Sequence, residues 1–107
     1  MLVEIIKNDT TTILQLSGRL DDRMADDFLK SVTEILKDAP DQLILDLGSV
    51  DYVGSAGLRV LIRAAKEARA VSARLALCAL RPNVMEVVHI SGLTKIFSIY
   101  TDRSLTV

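Results

Sequence analysis

Reactive side chains are scarce in this chain of 107 residues, which contains one cysteine, one histidine and no tryptophan. A lone cysteine cannot form an internal disulfide, and the apolar neighbours of Cys78 predict a buried strand position. His89 has no second histidine or cysteine at metal-ligand spacing, and a role in packing or at the surface is expected for it. Because catalysis needs several convergent groups, the sequence predicts no enzyme activity, no metal site and no cofactor.

Long apolar runs are also missing. The longest ones, such as residues 43–47 and 84–90, are far shorter than the roughly 20 apolar residues that a bilayer span needs. The first residues lack the basic start and apolar stretch of a secretory signal. We therefore expect a cytoplasmic protein with no direct membrane insertion.

Aromatic residues make up 4% of the chain, and the formal net charge is −1. Both values argue against a dedicated nucleic-acid binder. The charge is unevenly divided, since residues 1–54 carry a net −6 and residues 55–107 a net +5. An ordinary solvated surface explains this division, which can also orient the chain toward a charged partner. Half of the residues are hydrophobic, enough for one compact domain over residues 1–107.

Apolar spacing predicts two antiparallel strands around a turn at residues 8–10, and the segment at residues 18–22, which begins with Gly18, stops the second strand. A first helix is expected from about Met24 to Asp38, with Asp21 or Asp22 as its N-cap. A buried central strand over residues 42–46 follows, with Asp46 at its end.

Further along the chain, helical spacing resumes at residues 55–56, and a strand is expected at residues 73–79. Pro82 is placed to open another helix, which Gly92 ends, and residues 96–100 form a last strand. Strands that alternate with helices imply parallel pairing through right-handed crossovers. The expected fold class is α/β, a mixed, mostly parallel sheet of about five strands with helices mainly on one face.

The most informative segment is Gly54-Ser55-Ala56-Gly57, where the central strand leads into the second helix. The first N–H groups of a helix lack intrahelical partners and favour negative charge, so Ser55 lies where a phosphate is well tolerated. A nucleophile elbow and a nucleotide-binding loop both fail on spacing here, because Gly54 directly precedes Ser55 and no lysine follows Gly57. A plain helix N-cap remains an alternative role for Ser55.

Basic residues recur on one side of the second predicted helix, at Arg59, Arg63 and Lys66. They form an exposed stripe opposite the apolar side that contains Leu58, Leu61, Ile62, Ala65 and Ala68. Contact with an acidic partner and a simple solvated helix face are both compatible with this pattern.

The order of elements resembles the STAS domain, a family that includes sulfate transporters and anti-sigma factor antagonists. The resemblance covers essentially the whole chain. Its strongest part runs from Asp46 to Leu58, and residues 17–21, Ser-Gly-Arg-Leu-Asp, also match.

The resemblance implies an anti-sigma factor antagonist, which binds an anti-sigma factor kinase and so releases a sigma factor. In such antagonists a serine or threonine just before the small residue and glycine of this helix start is phosphorylated, which ends binding; by position that residue is Ser55. The expected partner-binding residues are Asp21, Gly54, Ser55, Ala56, Arg59 and Arg63.

A second interpretation is a non-switching STAS scaffold or subunit of a signalling, transport or lipid-transport complex. The family pattern usually has aspartate before the phosphorylated residue and often serine or threonine after it, whereas this chain has Gly54 and Ala56.

Overall fold

Five strands form one sheet, and three helices connect four of them. The computed structural model describes the backbone of residues 2–8 and 10–100 and the side chains of residues 5–7 and 10–100. The strands are β1 (Leu2–Asn8), β2 (Thr11–Leu20), β3 (Gln42–Val53), β4 (Arg74–Cys78) and β5 (Ser98–Tyr100). The helices are α1 (Ala25–Lys37), α2 (Ser55–Ala70) and α3 (Pro82–Ile90), and a 3-10 turn at Leu93–Lys95 precedes β5.

The strands lie in the sheet in chain order. β1 pairs with β2 in antiparallel fashion, and every later neighbouring pair is parallel. Right-handed crossovers between strands that always advance in one direction place their helices on one face of the sheet. The predicted fold class is confirmed.

The core lies between the sheet and this helical layer. Alternate residues of the strands meet the apolar sides of all three helices, as their side-chain period of two requires. Buried residues from the strands include Leu14, Leu16, Leu43, Leu45, Leu47 and Leu77, and those from the helices include Phe28, Val32, Leu61, Ala64, Val84 and Val88. None of the described helices is long and apolar enough to cross a membrane.

Two strands are longer than the sequence predicts. β2 does not stop at Gly18 but bulges there and continues to Leu20, and β3 continues to Val53, so that Asp46 is inside the strand. Gly18 has a φ of +101°, which glycine adopts without steric cost. Beyond Asp46, β3 pairs with β2 alone, because the ladder with β4 ends at the Asp46–Cys78 pair.

The predicted N-cap of α1 is wrong. Met24 occupies the cap position and makes no side-chain capping bond. Asp21 instead organises the turn before the helix, where its carboxylate accepts a hydrogen bond from the Arg23 N–H at 3.1 Å. Its carbonyl oxygen accepts from the N–H groups of Met24 and Ala25 at 3.2 and 3.0 Å.

The last strand is also shorter than the predicted range of residues 96–100. Leu93–Lys95 forms the 3-10 turn, and only Ser98–Tyr100 pairs with β4. The other boundaries are close to the prediction: Pro82 is the first residue of α3, and Gly92, with a φ of +80°, follows that helix. The tail at residues 101–107, which is too short for a helix to be predicted there, lies outside the described residues.

Candidate functional site

The junction between β3 and α2 presents an exposed serine that does not cap its helix. Gly54 is the N-cap residue, with extended backbone angles, and its carbonyl oxygen accepts the first helical hydrogen bond from the Leu58 N–H at 2.9 Å. Ser55 is the first helical residue and is exposed. The alternative role of Ser55 as an N-cap is therefore wrong, and its hydroxyl is available for other chemistry.

Gly57 brings the start of α2 close to the end of β2. A Cβ atom at this position would overlap the carbonyl oxygen of Leu20 and lie 2.9 Å from the Leu20 Cγ and 3.1 Å from a Val53 methyl. Only glycine permits this approach without movement of backbone atoms. Gly57 thus fixes where the start of α2, and with it Ser55, lies relative to β2.

The Asp21 turn and the Ser55 junction are joined by one backbone hydrogen bond. The Gly54 N–H donates to the Leu20 carbonyl at 3.0 Å, and each of these residues precedes one of the predicted site residues. Asp21 has a side chain that is 23% exposed. The structure therefore brings Asp21, Gly54, Ser55 and Ala56 to the same edge of the sheet, where β2 and β3 end.

An arginine and a tyrosine that the sequence does not single out lie at this edge. Arg19 and Tyr52 are register partners on β2 and β3, and the Arg19 guanidinium lies 4.1 Å from the centre of the Tyr52 ring. The Tyr52 hydroxyl lies 3.0 Å from the point that a Cβ of Gly54 would occupy. Their position in the sequence could have indicated them, since each lies two residues before a predicted site residue, Asp21 or Gly54.

The second half of β3, residues 47–53, which pairs with β2 alone and is called here the free half of β3, is held in place by residues at the start of α3. The Asn83 side-chain amide donates to the Asp51 carbonyl at 2.8 Å, and Arg81 Nε donates to the Gly48 carbonyl at 3.0 Å. These two contacts replace the neighbouring strand that this part of β3 lacks on one side. Sequence reasoning misses both residues, because an exposed polar residue in the first turn of a helix carries no signal of a partner on a distant strand.

Asp46 is not part of this exposed edge. It is 9% exposed, and its carboxylate accepts a hydrogen bond from the Gly48 N–H at 2.9 Å. It lies at the point where the ladder between β3 and β4 ends.

The predicted basic stripe on α2 is present. Arg59, Arg63 and Lys66 are all exposed, and Arg63 approaches Glu67 at 4.0 Å. Glu67 also accepts a hydrogen bond from Thr33 on α1 at 2.9 Å, which ties the two helices together. On the predicted apolar side of α2, Leu61 and Ala68 are buried, whereas Leu58, Ile62 and Ala65 are only half-buried. Gly57 and Ala64 are buried as well.

The remaining reactive residues lie away from the junction. Cys78 is buried in β4, as predicted, and His89 is exposed on α3. Among the described residues, no three histidine, cysteine or acidic side chains are grouped so that they can hold a metal ion.

The comparison with protein families identifies the fold. The sequence model of the STAS domain matches residues 3–105. The chain belongs to the STAS domain family. The family resemblance predicted from residues 17–21 and 46–58 is thereby confirmed.

Relatives and solved structures agree with this assignment. BtrV of Bordetella bronchiseptica, named as a candidate anti-sigma factor antagonist, is 36% identical over 103 residues, which cover 96% of this chain and 89% of BtrV. An anti-sigma factor antagonist from Mycobacterium paratuberculosis has a TM-score of 0.87 at 23% identity, over 96% of this chain and 87% of that one. Bacillus SpoIIAA in its unphosphorylated form has a TM-score of 0.82 at 20% identity, over 98% and 93%.

Proposed function

We propose that this STAS protein is an anti-sigma factor antagonist that binds an anti-sigma factor kinase and is switched off by phosphorylation at Ser55. The exposed hydroxyl of Ser55 carries the proposal, because it lies at the start of α2 and takes no part in capping the helix. The names given to BtrV and SpoIIAA support the partner class. The proposal places the protein in the cytoplasm, where sigma factors act.

In the unmodified state, the partner binds the edge formed by the Asp21 turn, the Gly54-Ser55-Ala56 segment and the first turns of α2, including Arg59 and Arg63. These residues belong to segments that hydrogen bonds and close packing fix relative to one another. A preformed surface loses little conformational entropy on binding, which favours affinity. The partner then gives up its sigma factor.

Phosphorylation transfers the terminal phosphoryl group of ATP to the Ser55 oxygen. The new O–P bond replaces the bond to ADP, and a base of the kinase takes the hydroxyl proton. The phosphate adds a charge of about −1.5 to −2, which the start of α2 tolerates but a closely packed interface does not. A loss of about 2.8 kcal/mol in binding free energy weakens the complex about a hundredfold.

The test is to incubate the purified protein with ATP and the anti-sigma factor kinase that co-purifies with it, and to map the phosphate by mass spectrometry. We expect one phosphate, on Ser55, and none on the Ser55→Ala variant. Ser55→Ala should still bind the kinase, whereas Ser55→Asp should bind more weakly. A phosphate found only on another residue would show that the switch assignment is wrong.

A non-switching scaffold is the second candidate function, and the residues Gly54 and Ala56 favour it because both differ from the usual family pattern. It predicts that the protein co-purifies with a transporter or a large signalling complex. It also predicts that recovery of the partner is the same with and without ATP.

A further inference from the structure

Arg19 directly precedes Leu20, whose carbonyl accepts the Gly54 N–H, and its guanidinium makes no hydrogen bond to any residue that the structure describes. Its side chain is 60% exposed, and its Nε lies 3.7 Å from the nearest oxygen of Asp21. That separation exceeds the 2.7–3.2 Å of an N–H to oxygen hydrogen bond, so the pair is loose. A guanidinium has five N–H donors, which leaves Arg19 able to bind a second anion.

Tyr52 holds Arg19 at this place. The guanidinium lies 4.1 Å from the ring centre, within the range of a cation–π contact. The ring extends toward Gly54, where the missing side chain leaves room for the Tyr52 hydroxyl and Cε2 at 3.0 and 3.1 Å from a Cβ position. The Tyr52 ring that contacts Arg19 therefore also lies against Gly54, the residue before Ser55.

Arg59 follows Ser55 by about one turn of α2, and both residues are exposed. Residues four apart on a helix are surface neighbours, with Cβ atoms about 5–6 Å apart, and Arg59 is the fourth residue after Ser55. Arg59 is exposed and makes no ion pair with any residue in the described part of the chain. Arg63, by contrast, is close to Glu67.

We propose that Arg19 and Arg59 bind a phosphate on Ser55 from two sides, and that Tyr52 is the positioning residue for Arg19. The inference rests on the proposed phosphorylation of Ser55 and adds how the modified state is held. A phosphate has three acceptor oxygens, and the planar fork of arginine suits two of them at once. Both arginines are then drawn into a contact within the protein. Arg59 is thereby lost from the partner surface, and this loss adds to the effect of the new negative charge on binding.

The test uses protein in which phosphoserine is incorporated at position 55 during translation, so that no kinase is needed. The second ionisation of phosphoserine has a midpoint near pH 6 and can be followed by ³¹P NMR. A nearby arginine favours the doubly charged phosphate and lowers this midpoint. We expect Arg19→Gln and Arg59→Gln each to raise the proton affinity of the phosphate about threefold. This is the size of effect that the loss of one exposed ion pair of modest strength has.

Arg69→Gln is the matched control, because Arg69 lies on the same helix as Ser55 but about 21 Å further along the helix axis. It should leave the midpoint unchanged. Tyr52→Ala should reduce the effect of Arg19→Gln, because Arg19 loses its support, while the effect of Arg59→Gln should persist. An equal effect of Arg19→Gln with and without Tyr52 would refute the positioning role.

Equal midpoints in the original protein and the Arg19→Gln/Arg59→Gln double variant would refute the proposal as a whole. Amide NMR spectra of the Arg59→Gln variant, a change at an exposed residue, are the control for folding and should be unchanged away from position 59. This result is independent of the proposed function, which fails separately if the kinase does not modify Ser55. A kinase that modifies Ser55 together with an unshifted midpoint would reject the arginine contacts alone.

Discussion

At the scale of single residues, a serine at a helix start commonly provides both the N-cap backbone and the side-chain oxygen, but before α2 two different residues do so. Gly54 provides the extended backbone of the N-cap, and Ser55 begins the helix with an exposed side chain. Its hydroxyl is therefore not needed for folding. This separation is what makes Ser55 suitable for modification, since a phosphate there displaces no capping bond.

The Ser55→Ala variant tests this separation. We expect its free energy of unfolding in urea to equal or slightly exceed that of the original protein, because alanine is the better helix former. Replacement of a helix-capping serine by alanine lowers the free energy of unfolding by about 1 kcal/mol. A loss of that size would show that the hydroxyl caps α2 after all.

Gly57→Ala should have the opposite effect. Its new methyl group would overlap the Leu20 carbonyl, so the start of α2 must move away from β2. Overpacking of this kind costs about 1–3 kcal/mol, which urea unfolding measures directly. Gly54→Ala is the control, because there the close neighbour is the side chain of Tyr52, which can move; equal losses in both variants would contradict this interpretation.

At the scale of elements, the free half of β3 carries the site, and α3 supports it. The Asn83→Ala variant removes the hydrogen bond to the Asp51 carbonyl. We expect a loss of about 0.5–1.5 kcal/mol in stability and faster hydrogen exchange at residues 49–53. Glu86→Ala, an exposed change on the same helix, should alter neither; unchanged exchange in Asn83→Ala would show that α3 does not support this segment.

Most of the fold follows from the sequence, because apolar periodicity locates each helix and strand and right-handed crossovers order them. The parts that do not follow are the second halves of β2 and β3. Gly18 in β2, like Gly48 and Asp51 in β3, has low strand propensity. These parts of the chain are strands because the second halves of β2 and β3 pair with each other. The N-caps do not follow from the sequence either. Asp21 and Ser55 are good capping residues, but Asp21 lies three residues before the cap position of α1 and Ser55 one residue after that of α2.

The candidate site shows the same division between local pattern and tertiary contact. The sequence predicts the position of Ser55 and the exposed stripe of Arg59, Arg63 and Lys66, because these depend on local pattern. The contact between Arg19 and Tyr52 depends on the register of two strands that are separated by a helix. No spacing along the chain reports such a register.

At the scale of the whole molecule, the acidic and basic halves of the chain meet at the site. The turn that holds Asp21 and Asp22 leads into α1, whose first turn is acidic at Asp26 and Asp27, while α2 presents the basic stripe. A partner surface with complementary charges would be oriented by both, which raises association rates more than affinity. The proposed phosphate on Ser55 would add its charge at this boundary.

The affinity of one anti-sigma factor kinase for two forms of this protein tests the central claim most directly. The two forms are the unmodified protein and the protein with phosphoserine incorporated at position 55, each measured by isothermal titration calorimetry without ATP hydrolysis. The account predicts tight binding of the unmodified form and a Kd about a hundredfold higher for the phosphorylated form. Equal Kd values for the two forms would contradict it.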